Sequence, residues 1–272
     1  MSSYNSISTE KLSRLIGTAS APILVDVRID EDFAADPRLI PGSRRYSHLD
    51  VQDWAGRLAG QSVVVICHKG QKLSEGTAAW LRHGNIAAEI LEGGHVAWKE
   101  AELPTVPADK IPKRDGRGRT VWVTRERPKI DRIACPWLIR RFVDPEAKFL
   151  YVPTEQVFDV AREGRATAYD IPGAEPFTHD GEKCSFDAFL KVYGIRDAAL
   201  DTLALIVRGA DTDRLALAPQ SPGLLAVTLG LSANFPDDHA MLEHGMVMYD
   251  ALYTWCRSLR GETHGWNPEI GR

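Results

Sequence analysis

The sequence contains 272 residues, of which 44% are hydrophobic and 26% are charged. This composition excludes wholesale disorder, and at roughly 150 residues per domain the length favours about two domains. The formal net charge of −4 excludes a global basic field that would attract nucleic acid or an acidic membrane surface. We therefore expect a soluble globular protein.

The four cysteines are widely separated and form no CxxC pair. Residues 1–17 are polar and mixed, and no apolar run approaches the roughly 20 residues of a membrane helix. We therefore expect a cytoplasmic protein with reduced thiols and no membrane contact. The cysteines are Cys67, Cys135, Cys184 and Cys256.

The first part of the chain alternates between strand and helix patterns. Residues 23–27 and 62–66 are short β-rich runs, apolar enough to be buried on both faces of a parallel sheet. A helical pattern follows at 74–81, and another strand pattern at 87–91. This alternation predicts an α/β domain over residues 1–104, with a parallel sheet flanked by helices.

Residues 105–119 are dense in proline, glycine and basic side chains and offer almost nothing to bury. They predict an exposed linker.

Residues 120–272 then predict a second, α+β domain in which helices dominate. Strand patterns occur at 120–124 and 149–152, and helical patterns occur at 130–142, 185–193, 198–207 and 238–259.

The strongest chemical signal is a buried strand that ends on Cys67 and is followed by a short loop and a helix. Backbone N–H groups and the helix dipole can there stabilise negative charge at one point, and Lys69 and Lys72 add positive charge. A thiolate in this place suits attack on electrophilic sulfur or phosphorus. A small buried cysteine that merely closes the strand is the alternative.

Several motifs around this cysteine resemble the rhodanese family of sulfurtransferases, over about residues 8–104. They are LVDVR at 24–28, EDF at 31–33, IPGS at 40–43 and EGGHVAW at 92–98. The resemblance implies that Cys67 is the persulfide-forming nucleophile and that Asp26 and Arg28 are structural charges. It also implies an anion cradle formed by His68, Lys69, Gly70, Gln71 and Lys72.

The implied reaction is a double displacement. Cys67 takes sulfur from a small donor such as thiosulfate and passes it to a thiol or a cyanide-like acceptor, with no cofactor required. Lys72 stands where the family usually has arginine; it keeps the charge but loses the bidentate fork, so donor preference can differ. His68 is either a proton shuttle or a residue that lines the loop.

The second half resembles the chromate-resistance protein family of the ChrB type. The motifs are DRIACPWLIRRF at 131–142, FTHDGEKCSFD at 177–187 and IVRGADTD at 206–213. The resemblance implies a link to chromate or oxyanion stress.

Two kinds of ligand site are open in this half. A set of mixed nitrogen, sulfur and oxygen donors suits a transition metal, or else forms a structural polar network. That set is His179, Cys184, Asp187 and Asp211. Arg132, Arg140 and Arg141 suit an oxyanion, or else line a solvated helix face.

Two functions follow from these patterns. The first is a sulfurtransferase linked to chromate or oxyanion stress. The second is an oxyanion- or metal-binding sensor that uses the rhodanese fold as a redox or docking module. Nucleic acid is not an expected partner, because the sequence lacks a convincing helix-turn-helix or basic recognition helix.

Overall fold

The computed structural model describes residues 5–262. Its N-terminal part contains six strands, namely β1 (Ser6–Ile7), β2 (Ile23–Asp26), β3 (Arg38–Leu39), β4 (Arg44–Arg45), β5 (Ser62–Ile66) and β6 (Ala87–Leu91). Five of them form a parallel sheet in the order β1-β6-β5-β2-β4. The predicted α/β fold is therefore confirmed.

Helices cover both faces of this sheet because its central strand is apolar on both sides. The helices are α1 (Thr9–Leu15), α2 (Asp30–Ala35), α3 (Val51–Ala55), α4 (Lys72–His83) and α5 (Gly94–Glu100). Val63 and Val65 of β5 share a buried cluster with Leu81 of α4, whereas Val64 belongs to the cluster that contains Trp98 of α5. Successive side chains of a strand point to opposite faces, which explains this division.

The segment predicted to be an exposed linker is partly built into the fold. Strand β7 (Val106–Pro107) pairs antiparallel with β3, and Val106 is 1% exposed. Arg38 Nε donates to Thr105 Oγ1 at 2.6 Å. The expectation of an exposed linker is therefore wrong for this stretch, because backbone pairing and burial of one valine outweigh its proline-rich composition.

The C-terminal part is mostly helical, as predicted. A parallel sheet in the order β10-β8-β9 consists of β8 (Val121–Arg125), β9 (Lys148–Val152) and β10 (Thr167–Ala168). Its helices are α6 (Asp131–Leu138), α7 (Val157–Glu163), α8 (Ser185–Tyr193), α9 (Ala198–Asp211), α10 (Ser221–Asn234) and α11 (Asp238–Thr254). Helices α6 and α11 each continue into a π-helical turn.

One apolar cluster runs through both parts of the chain. It joins Leu12 and Trp98 to Phe142 and Tyr253. Gly17 (φ +80°) lies so close to this cluster that a Cβ atom would be 2.5 Å from the Phe142 ring and 2.7 Å from the Tyr253 ring. The two parts therefore pack as one body. Among the helices of residues 5–262, none is long and apolar enough to cross a membrane.

Candidate functional site

Cys67 lies at the carboxyl edge of the parallel sheet, where β5 ends and the loop to α4 begins. Its Sγ atom accepts a hydrogen bond from Gln71 N–H at 3.3 Å and lies 3.2 Å from Ser74 Oγ. Cys67 is 4% exposed. A backbone N–H at the start of α4 therefore stabilises negative charge on this sulfur, and the neighbouring Ser74 hydroxyl donates to the Gln71 carbonyl oxygen at 2.9 Å.

Two glycines with positive φ hold the Cys67 loop against the start of α5. A Cβ atom on Gly94 (φ +60°) would lie 2.3 Å from the carbonyl oxygen of Cys67, and one on Gly70 (φ +65°) would lie 2.5 Å from that of Leu91. His95 N–H donates to the Cys67 carbonyl oxygen at 2.9 Å. The EGGHVAW segment therefore supports the cysteine loop directly.

The side chains predicted to form the anion cradle are mostly turned to solvent. Lys69, Gln71 and Lys72 are exposed, and His68 is half-buried. His68 Nδ1 is buried and has no hydrogen-bond partner within residues 5–262. Backbone and hydroxyl groups therefore contact the sulfur, while the two lysines supply charge around the loop entrance.

Asp26 and Arg28 form a buried ion pair at the end of β2. Arg28 Nη2 lies 2.6 Å from Asp26 Oδ2, and the guanidinium also donates to the carbonyl oxygens of Asp36 and Arg38 at 3.0 and 2.7 Å. Structural contacts therefore occupy both charges and join the end of β2 to the start of β3.

In the C-terminal part, His179 lies among three aspartates. Its Nε2 atom is 3.2 Å from Asp211 Oδ2, 3.6 Å from Asp131 Oδ2 and 3.6 Å from Asp170 Oδ1. Asp131 begins α6 and Asp211 ends α9, whereas Asp170 follows β10. We call these four residues the His179 cluster.

Charge within the His179 cluster shifts the ionisation of its members. The carboxylates of Asp170 and Asp211 raise the pKa of His179 to about 10. Burial, with the added repulsion of Asp211 and Asp170, raises the pKa of Asp131 well above its ordinary value.

Only two of the four predicted metal ligands, His179 and Asp211, belong to this cluster. Asp187 instead forms an ion pair with Arg208, whose Nη2 lies 2.5 Å from Asp187 Oδ1. Cys184 Sγ lies 3.4 Å from Asp187 Oδ2, and burial raises the pKa of this thiol far above its ordinary value. The predicted set is corrected in this way because the Arg208 guanidinium donates to both carboxylate oxygens of Asp187.

The three arginines predicted to bind an oxyanion do not converge on one point, because each has an acidic partner. Arg132 Nε lies 3.5 Å from Asp170 Oδ2. Arg140 and Arg141, one residue apart, pair with different carboxylates of α11. These are Glu243 and Asp250, each at 2.7 Å. The predicted arginine site is corrected accordingly.

Residues 8–101 match the family described as rhodanese-like domain, and residues 122–256 match that described as ChrB, C-terminal domain. The chain joins a rhodanese-like domain to a ChrB C-terminal domain. Protein ChrB of Cupriavidus metallidurans is 38% identical over 157 residues, which cover 56% of this chain and 46% of that relative.

Several solved structures are similar to part of this chain. A rhodanese-like domain protein from Staphylococcus aureus is 28% identical and covers 35% of this chain and 90% of its own, with a TM-score of 0.31. A rhodanese-related protein from Thermoplasma volcanium is 23% identical and covers 38% and 98%, with a TM-score of 0.33. Thiosulfate sulfurtransferase from Pseudomonas aeruginosa is 24% identical and covers 37% and 19%, with a TM-score of 0.32.

Sequence reasoning missed two acidic residues of the ChrB C-terminal domain, Asp131 and Asp170. Asp131 stands at the start of a recognised motif, next to an arginine, and the first turn of a helix is an ordinary place for an acidic residue. Asp170 lies outside every motif; its positive φ (+51°) is visible only in the structure. No local signal therefore connected either residue with His179.

Proposed function

We propose that this protein is a sulfurtransferase in which Cys67 carries sulfur as a persulfide. The observation that supports the proposal best is the contact between Cys67 Sγ and Gln71 N–H, 3.3 Å apart, at the start of α4. A thiolate held there already accepts a hydrogen bond that stabilises its negative charge before the reaction begins. The same donor remains available to a persulfide or to a departing anion.

The reaction would proceed in two displacements. The Cys67 thiolate attacks the outer sulfur of a thiosulfate-like donor, forms a sulfur–sulfur bond and releases sulfite with its electron pair. A thiol or cyanide then attacks the outer sulfur of the persulfide and regenerates the thiolate. No cofactor is needed, because each step exchanges one nucleophile for another.

The exposed Lys69 and Lys72 would attract the anionic donor to the loop, and Ser74 would donate to the sulfur when it is a thiolate. His68 offers a half-buried ring whose Nδ1 has no described partner. We assign it to shaping the loop, with proton transfer to the acceptor as the alternative.

Sulfur transfer from thiosulfate to cyanide tests the proposal, with thiocyanate as the product to be measured. We expect Cys67→Ser to abolish turnover, and Cys256→Ser, which changes another buried thiol, to retain it. Mass spectrometry of the thiosulfate-treated protein should show one added sulfur atom on Cys67. Equal turnover in the Cys67→Ser variant would refute the persulfide step.

We place this activity in the cytoplasm, where the four free cysteines would stay reduced. Its biological context would be chromate or oxyanion stress, since the second domain matches the ChrB C-terminal domain family. The chain spans less than half of the curated ChrB relative, 46% of its length, so this context is part of the proposal.

A second candidate function is ion sensing by the ChrB C-terminal domain, with the rhodanese-like domain as a redox or docking module. The His179 cluster favours it, and its three carboxylates suit a cation better than an oxyanion. Thermal unfolding of the full chain with chromate, sulfate or divalent metals tests it. Sensing requires a rise in melting temperature with at least one ion, and no rise with any of them would contradict it.

A further inference from the structure

We propose that Asp131, Asp170 and His179 bind one divalent transition metal ion, with Asp211 beside them. This inference rests on the second candidate function, ion sensing, and names the site and the class of ion that sensing would use. It is independent of sulfur transfer at Cys67.

The three ligand atoms converge at distances that fit a shared metal ion. One oxygen each of Asp131 and Asp170 and one ring nitrogen of His179 lie within 4.8 Å of one another. Ligands about 2.1 Å from a common ion are separated by roughly 3.0–3.4 Å. The observed separations between His179 Nε2 and the two carboxylate oxygens, both 3.6 Å, exceed this by a few tenths of an ångström.

Hydrogen bonding accounts for only one of the three contacts of His179 Nε2. The 3.2 Å contact with Asp211 has hydrogen-bond length, whereas the two contacts of 3.6 Å are too long. A single N–H on His179 Nε2 also cannot serve three carboxylates at once. A cation at the centre would be attracted to all of them simultaneously.

Asp131 supplies an independent indication of a ligand. It is 1% exposed, and its Oδ1 atom is buried without a hydrogen-bond partner among the described residues. Its other oxygen accepts Ser185 N–H at 2.5 Å and Phe186 N–H at 3.3 Å. Oδ2 is the oxygen that lies 3.6 Å from His179 Nε2, so the unpartnered Oδ1 belongs to the same carboxylate. A buried carboxylate oxygen without a partner is costly, and a metal ion held by this carboxylate would offset the cost.

The surrounding residues orient the carboxylates as outer partners of a metal site commonly do. Ser185 Oγ donates to Asp170 Oδ1 at 2.6 Å, and Arg125 Nη2 donates to Asp170 Oδ2 at 3.1 Å. Asp170 therefore keeps a fixed direction toward His179. Removal of Ser185 Oγ would loosen the site without removing a ligand.

The site is open to solvent on one side. The His179 side chain is 44% exposed and that of Asp211 is 18% exposed. His179 also borders a cavity of about 560 Å³. An ion can therefore enter past the imidazole and reach the buried carboxylates.

The donors select the class of ion. Two or three carboxylates suit Mn²⁺ and other hard ions, whereas the imidazole favours Fe²⁺, Zn²⁺ and similar transition metals over Mg²⁺ or Ca²⁺. We therefore expect Mn²⁺ and Zn²⁺ to compete for the site, and Mg²⁺ to bind much more weakly.

Titration of the full chain with Mn²⁺, followed by the electron paramagnetic resonance signal of the free ion, tests the proposal. We expect one Mn²⁺ per chain, displaced by Zn²⁺. His179→Gln should weaken binding at least tenfold, and its exposed position makes it compatible with folding. Asp131→Asn should weaken binding similarly and should also abolish the metal-dependent rise in melting temperature.

One variant is a matched control. Asp180→Asn changes the exposed acidic neighbour of His179, which pairs with Lys191, and it should bind Mn²⁺ like the parent. No Mn²⁺ or Zn²⁺ binding by the parent, or unchanged binding by His179→Gln, would overturn the assignment. If metals raise the melting temperature of parent and His179→Gln equally, ion sensing survives and only this site fails.

Discussion

At the scale of single residues, Gly94 is critical because it has no side chain. Its backbone approaches the Cys67 loop so closely that a Cβ atom would meet three atoms of that loop within 2.8 Å, namely Cys67 O, Gly70 N and His68 O. We expect Gly94→Ala to cost about 1–3 kcal/mol in stability, since its φ is positive as well. Sulfur transfer to cyanide should fall at least tenfold, because the loop must move.

Gly76 provides the control for this prediction. It lies in α4, the helix that follows the Cys67 loop, and a Cβ atom there would meet nothing within 4 Å among residues 5–262. Gly76→Ala should stabilise the helix by about 0.5–1 kcal/mol and leave turnover unchanged. Equal activity of Gly94→Ala and Gly76→Ala would contradict the role assigned to the close approach.

His95 should make the stability of the protein depend on pH. Burial, with the nearby charge of Arg28, lowers the pKa of His95 below its ordinary value of 6.5, although Asp36 lies 3.1 Å from its Nε2 atom. Neutral His95 therefore contributes stability above pH 6.5, and this contribution is lost as the pH falls through the folded pKa. NMR titration of the ring should give a value below 6.5, and His95→Gln should reduce the acid-side loss. A ring that titrates above 6.5 would contradict this prediction.

At the scale of elements, the Asp26–Arg28 pair joins the end of β2 to the start of β3. Arg28→Met would leave Asp26 buried without its cation and remove two bonds to backbone carbonyls. We expect a loss of about 3–5 kcal/mol, measured by urea unfolding. The exposed pair of Arg162 and Asp159 is the comparison, and Arg162→Met there should cost less than about 1 kcal/mol. Similar losses in both variants would contradict the structural role.

Helices and strands with a regular apolar pattern were predictable, and α10 shows why others were not. The sequence predicted β5 at 62–66 and α8 at 185–193, which are the observed bounds. The sequence produced no expectation of α10, whose buried side consists largely of Ser221, Thr228 and Ser232. Val227 and Leu229 of the same helix are exposed. The buried side of α10 is therefore largely polar and its exposed side partly apolar, which is the reverse of the pattern that identifies an amphipathic helix.

At the scale of the whole molecule, the continuous core predicts that both domains unfold together. The ring of Phe142 in the ChrB C-terminal domain lies in the shared core and packs directly against Gly17 of the N-terminal part. Phe142→Ala should cost about 3–5 kcal/mol. Calorimetry should show a single transition in parent and variant, and sulfur transfer should be lost at a correspondingly lower temperature.

The exposed residue Val247 is the control, because it is 67% exposed on α11. Val247→Ala should change stability by less than about 0.5 kcal/mol. Two separated transitions in the parent, or an unchanged inactivation temperature in Phe142→Ala, would show that the domains are independent.

The sequence by itself determined the rhodanese-like domain and the place of Cys67, because strand, loop and helix are adjacent in the chain and their signals are local. It also indicated that His179 and Asp211 were chemically significant. Only the tertiary structure decided their neighbours. Asp131 reaches His179 from the start of α6 and Asp170 from the turn after β10. Partners brought together by folding occupy Arg140, Arg141 and Asp187. Charge pairing acts through space, so its outcome depends on how helices pack rather than on spacing along the sequence.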